Sequence, residues 1–308
     1  MNPVHRAVDR ARAYFAERPT RQGLVARRLL GMEREGDQRL AQQHIRDRRT
    51  RVRPDGSVAG DLVSTAWYAW EVLDLANVRL RVDQPVTPEQ IKPIQKTLAW
   101  LLGRQDRDGA YGLGCTPRRH ELRMCEHSIG GFFAYRSSGV TIKRASLPTG
   151  PSVTSDQGAR FMASCFALRT VLRAGQDEQT LVRRHAGSLL ALPHLWDTWG
   201  GLWAPVLMVA ALAAIAWSPL PFRAQLPILA EHLALNQKPD GSWRNLDIIH
   251  AVDALVAVPL PQAREAVALA APKLAKLQTQ KGTLGVGPTA EERTLVALRA
   301  WLIAREYA

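Results

Sequence analysis

Soft and ionisable side chains crowd one stretch, "CTPRRHELRMCEH", which holds Cys115, His120, Cys125 and His127. Their spacings are C-x4-H, H-x4-C and C-x-H. Thiolate with imidazole is a donor set that suits Zn²⁺. The spacing is not a standard zinc pattern, and an unliganded cysteine is most often a small buried hydrophobe. The expectation is therefore that no cofactor is needed, with zinc at these four residues as the alternative. A second set of polar residues stands where apolar helices should begin: Asp61, Thr65, Asp247, His250 and Glu291. Thr65, His250 and Glu291 each follow a turn glycine by nine residues, so they are expected to ring one end of a cavity, with Asp253 orienting His250. Helix capping and hydrogen bonds between helices are the plainer explanation. Six aromatic residues on the apolar helices, Trp67, Trp70, Phe132, Phe133, Phe161 and Phe166, either line that cavity or fill the core. Ring faces in a cavity would stabilise a cation by roughly 0.5–2 kcal/mol each.

The elements that must position these residues repeat along the chain. A Gln, a Gly four residues on and a bulky residue two further recur as Gln105–Gly109–Tyr111, Gln237–Gly241–Trp243 and Gln278–Gly282–Leu284. "RPDGSV" keeps the turn at Gly56 and Val58 but has Val52 in place of the Gln. Before each turn lies an amphipathic helical pattern, as in "PFRAQLPILAEHLALNQ"; after it lies a more apolar one, as in "DIIHAVDALVAV". Apolar helices are expected to begin near residues 64, 127, 159, 207, 247 and 291, about 45 residues apart, which is the period of helix-pair arrays. Amphipathic helices suit an outer layer and apolar ones an inner layer. No run alternates as a strand does, so the fold class is all-α: an (α/α)6 toroid of six inner and six outer helices. The 21-residue stretch "SSGVTIKRASLPTGPSVTSDQ" is long for a plain loop, which marks it as a functional candidate.

Charge and composition narrow the partners. The chain has 308 residues, 46% of them hydrophobic, and a net charge of +13. Residues 1–53 hold 14 Arg and no Lys against six Asp or Glu. They are expected to form a basic helical segment that packs on or extends from a toroid domain of residues 54–308. Anionic lipid is a natural partner for such a segment, but its charges are spaced helically and mixed with acids, as on a solvated face. No nucleic-acid motif accompanies them. Three cysteines make no disulfide framework, which suits a reducing, cytoplasmic setting, peripheral to a membrane if the basic segment binds one. The uncharged run Thr198–Phe222 is interrupted by Pro205, Pro219 and Pro221 and is expected to be a buried helix, not a membrane span.

These turns resemble the QW repeats of the squalene–hopene and oxidosqualene cyclase family, whose toroid is shared by the protein prenyltransferase β-subunits. The resemblance covers about residues 50–305. It implies that Gln237 bonds helix-terminal backbone groups and that Trp243 stacks on it, as girders and not catalysts. It implies a class II terpene cyclase-like enzyme that cyclises an isoprenoid or related apolar chain by protonation, without a redox cofactor. The hopene branch carries an Asp-x-Asp-Asp motif, which is absent here. The oxidosqualene branch carries Val-Ser-Asp-Cys-Thr-Ala; "VTSDQGA" is similar, with Gln157 and Gly158 in place of Cys and Thr, and makes Asp156 the candidate acid. A carboxyl in an apolar cavity stays protonated near neutrality, whereas an Asp capping the following helix would prefer its charged form. The prenyltransferases place a zinc-ligating His at an inner-helix start that "HSIGGFFAY", with His127, resembles, but their Asp-x-Cys pair is missing. A zinc-dependent prenyltransferase-like enzyme is thus one alternative. A non-catalytic toroid that binds a lipid, peptide or protein is another. The usual cyclase has a second helical domain closing the cavity; here the cavity is expected to be open or closed by a second copy in a homodimer.

Overall fold

Tight glycine turns organise the chain, because each ends an amphipathic helix and aims the next one inward. The computed structural model describes residues 2–78, 84–104, 144–190, 205–218, 223–224 and 226–307, without the side chains of residues 156, 157 and 188. Its helices are α1 (Pro3–Ala16), α2 (Arg21–Leu29), α3 (Asp37–Arg49), α4 (Leu62–Leu75), α5 (Gln95–Gly103), α6 (Asp156–Arg173), α7 (Thr180–Leu190), α8 (Pro205–Ile215), α9 (Leu226–Leu235), α10 (Ile248–Leu255), α11 (Pro261–Leu277) and α12 (Ala290–Tyr307). A single helical turn, Pro88–Ile91, and a 3₁₀ turn lead into α5. The protein is mostly helical.

One correction to the strand-free expectation is a two-stranded antiparallel hairpin. It pairs β1 (Ala145–Ser146) with β2 (Ser152–Val153), inside the stretch that reads as a long loop. Strands of two residues are too short for an alternating pattern to show.

The even-numbered helices pack side by side in a cycle: α2 on α4, α4 on α6, α6 on α8, α8 on α10, α10 on α12, and α12 back on α2. The odd-numbered helices lie against them. Apolar sequence explains most of the cycle: α8, "PVLMVAALAAI", buries all but two of its residues. Among the described residues no helix is long and apolar enough to cross a membrane. Helix α2 is the member that hydrophobicity does not announce. "RQGLVARRL" carries three arginines, and two of them are buried because each meets carboxylates: Arg21 with Asp74 and Glu292, Arg27 with Asp37.

Three described turns share one geometry. Val52 pairs with Val58, Gln237 with Trp243 and Gln278 with Leu284, as isolated antiparallel bridges. The girder roles differ in detail from those expected. Gln237 Nε2 donates to Gly241 O at 3.1 Å within its own turn and to Ala266 O at 2.9 Å on α11. Gln278 Nε2 repeats the pair with Gly282 O at 2.9 Å and Ala7 O at 3.1 Å on α1. The Gln thus fastens its turn to a neighbouring odd-numbered helix. Trp243 Nε1 donates to Leu233 O at 2.8 Å and the side chain is buried. Replacing Trp243 with Phe should cost about 1–2 kcal/mol for the lost bond and the orphaned carbonyl, seen as a small fall in the urea midpoint at unchanged m-value.

Candidate active site

The polar residues at helix starts each make hydrogen bonds within the fold. Asp61 caps α4 by accepting from Ser64 N, at 2.6 Å, and Asp247 caps α10 by accepting from Ile249 N, at 2.8 Å. Asp247 also takes Arg293 at 3.0 Å. Thr65 is buried, but its hydroxyl serves the turn: it accepts from Val58 N at 2.9 Å and donates to Asp61 O. Thr294 does the same for Leu284 N at 2.8 Å. His250 is buried with Nε2 at 3.0 Å from Val206 O, while Nδ1 has no partner among the described residues. Burial lowers its pKa, which favours the neutral ring. Glu291 accepts from Tyr14 Oη at 3.0 Å. Thr65, His250 and Glu291 thus each have a hydrogen-bond partner of their own. Asp253 does not bond His250; it pairs with Arg169 at 2.6 Å.

Asp156 opens α6, and the helix cap is its neighbour Ser155, which accepts from Gly158 N at 3.2 Å. The capping role weighed for Asp156 thus belongs to Ser155. The side chain of Asp156 lies outside the described residues, as do Cys115, His120, Cys125, His127, Phe132, Phe133 and the turn at Gln105. Among the described residues no group of His, Cys, Asp and Glu could hold a metal ion. Cys165 is buried in α6.

What the helix cycle encloses is an ion cluster that sequence patterns did not announce. Arg21 bridges the carboxylates of Asp74 and Glu292, with Glu71 at 3.5 Å. Arg173 reaches Asp74 Oδ1 at 2.7 Å, and Arg299 stands 3.7 Å from the same carboxylate. Burial raises the pKa of Asp74, but the charges of Arg173, Arg21 and Arg299 more than offset it and hold it at about 2. Glu292 moves the other way: burial pushes its carboxyl above the usual range, against the Arg21 charge. Burial also pulls Arg173 down to about 10. Two carboxyls that share one guanidinium thus shift in opposite directions. The sequence singled out Glu291; the interior residue is the next one, Glu292, one step of 100° around the helix.

Aromatic rings sit against this cluster. Trp67 and Trp70 each lie 6.2 Å from Phe166, and Trp70 meets Trp217 edge-on at 6.0 Å. The faces of Trp70 already carry cations, with Arg169 at 4.5 Å and Arg173 at 4.2 Å; Arg21 lies 4.9 Å from Trp67. Phe161 is fully buried in α6 as core.

Comparison with known proteins places this architecture. No protein-family model matches the chain. No curated protein matches it either. Solved structures of the type II terpene cyclase MstE from Scytonema do. One in complex with merosterolic acid A, its product, aligns with a TM-score of 0.57 at 14% identity, covering 100% of this chain and 98% of that one. Another, with geranylgeranyl dihydroxybenzoate, its substrate, gives 0.57 at 13% identity over 99% and 98%. The apo form gives 0.55 at 14% over 100% and 99%. At such identity the likeness is one of fold, and the fold of this chain is similar to that of these cyclases from end to end.

Proposed function

We propose that the helix cycle is the inner layer of an (α/α)6 toroid, with even-numbered helices inside and odd-numbered helices outside. Helices α1 to α3, from residues 1–53, belong to both layers. In this reading the protein is a class II terpene cyclase-like enzyme that cyclises an isoprenoid or related apolar chain. The observation that carries it is the extent of the likeness: cyclases bound to a geranylgeranyl substrate and to a product align over nearly their whole chains.

The chemistry is a proton transfer without net redox change. A carboxyl at Asp156 would protonate a terminal alkene carbon, and the resulting cation would be captured by the next double bond as a carbon–carbon bond forms. Loss of a proton from the final cation restores neutrality. No metal or redox cofactor is required by such a sequence. Asp156 stands at the first turn of α6, where the helix N-terminus favours the anion left after transfer.

Incubating the purified chain with geranylgeranyl dihydroxybenzoate and with unfunctionalised oligoprenes should give products of unchanged mass and shifted retention. Asp156→Asn should lower turnover by about 10³-fold or more, as removal of an acid in this role does. Retained turnover in that variant would remove Asp156. Bound but unconverted substrate would favour the second reading, a binding toroid without catalysis. That reading has its own support in the guanidiniums that already cover the faces of Trp70.

A further inference from the structure

The ion cluster has more donors than the described carboxylates use. Arg21, Arg169, Arg173 and Arg299 converge on Asp74, Asp253 and Glu292, with Glu71 also beside Arg21. Arg173 is 1% exposed. Its Nη2 donates to Asp74 Oδ1 at 2.7 Å and to Val78 O at 3.1 Å, yet Nε and Nη1 have no hydrogen-bond partner among the described residues. Arg169 uses both terminal nitrogens on Asp253 and leaves Nε unpartnered. Arg299 has Asp74 as its described charge partner, at 3.7 Å, and its side chain is 18% exposed. The rings of Trp70 and Trp217, 4.2 and 5.7 Å from Arg173, do not use these donors. Stacking engages the face of a guanidinium, whereas its N–H groups point outward in the plane. Buried charged donors left unpaired are rare and call for an acceptor.

We propose that Arg173, Arg169 and Arg299 form a subsite for an anionic head group, a carboxylate or a phosphate, at the polar end of the bound ligand. Its acceptor oxygens meet the in-plane N–H groups of Arg173 that have no hydrogen-bond partner among the described residues. Arg299 is the partly exposed member of the three. That the head group ends an isoprenoid chain rests on the function proposed above; recognition of the anion rests on the arginines.

The test measures dissociation constants by tryptophan fluorescence on the full chain with matched ligands: geranylgeraniol, geranylgeranoate and geranylgeranyl diphosphate. Benzoate and inorganic diphosphate serve as head-group probes without a chain. One of the anionic chains should bind at least ~10-fold more tightly than the alcohol, as a charge-assisted bidentate contact provides. Which one it is identifies the head group as carboxylate or phosphate. Arg299→Gln, at a partly exposed site, should reduce that preference to about threefold or less while the affinity for the alcohol holds. Arg173→Lys should do the same, because it keeps the charge but loses the fork. Equal affinity for the three chains, or an anion preference unchanged in both variants, overturns the subsite and leaves the isoprenoid reading standing. Binding of benzoate or diphosphate without any chain ligand sinks the isoprenoid reading and leaves the subsite. Binding of no ligand overturns both.

Discussion

Asp74→Asn is expected to destabilise the protein by about 3–5 kcal/mol, the range for removing one partner from a buried charge cluster. Asp74 is the shared acceptor of the cluster, taking Arg21 and Arg173 directly with Arg299 nearby. An amide leaves those guanidiniums facing one another with one carboxylate fewer. For a chain of this length the loss corresponds to a fall in Tm of roughly 5–8 °C, read by calorimetry at pH 7. The acid limb of the stability profile supplies an independent check. The folded pKa of Asp74, at about 2, lies below its ordinary value of 3.8. Its stabilising contribution is therefore complete above about pH 4 and is lost as pH falls from there through 2, by about 2 kcal/mol at most. Glu292 has the opposite sign, because its folded pKa is raised. Stability must decline as pH rises from its ordinary value of 4.5 through the raised one. Asp74→Asn should flatten the acid limb, and Glu292→Gln should flatten the decline above it. An Asp74→Asn protein with the wild-type Tm and an unchanged acid limb would show that the cluster does not form.

Gly282→Ala should cost about 2–4 kcal/mol and should do so without removing any polar contact. Gly282 sits at φ +89°, where a side chain is strained, and a Cβ there would lie 2.6 Å from Arg10 O on α1. The left-handed conformation accounts for about 1–2 kcal/mol and the forced separation of turn and helix for a further 1–2 kcal/mol or so. Gly241 is built the same way against the Leu269 carbonyl of α11. The urea midpoint measures the loss; the prediction fails if Gly282→Ala matches a surface Gly285→Ala control, whose φ is also positive but whose Cβ would meet nothing within 4 Å. The control isolates the close approach from the backbone conformation.

These two sites also mark what the sequence makes legible. The turns are local: Gln, Gly and the bulky residue lie within seven positions, so Gln237–Gly241–Trp243 and Gln278–Gly282–Leu284 can be found by eye, and their shared bridge geometry follows. Helices such as α8 and α10 are legible because burial on most sides requires an apolar sequence. Helix α2 is not, because its buried face is held by Arg21 and Arg27 through ion pairs. The central cluster is illegible for a related reason. Arg21, Asp74, Arg173 and Glu292 are separated by 53 to 271 positions in the pairs they form, and no local spacing couples them. Glu291 and Glu292 differ only in which side of α12 they occupy, which no count from a turn glycine resolves to one residue.

The bond from Gln278 to the Ala7 carbonyl has a consequence for how the protein comes apart. Repeat arrays that are open at both ends unfold by fraying, because each end unit has only one neighbour. Here α12 packs on α1 and α2, so neither the first helix pair nor the last is an end. Loss of one unit must open two interfaces at once, and protection against amide hydrogen exchange should be about as high in α2 and α12 as in α6, with no gradient from either end of the chain.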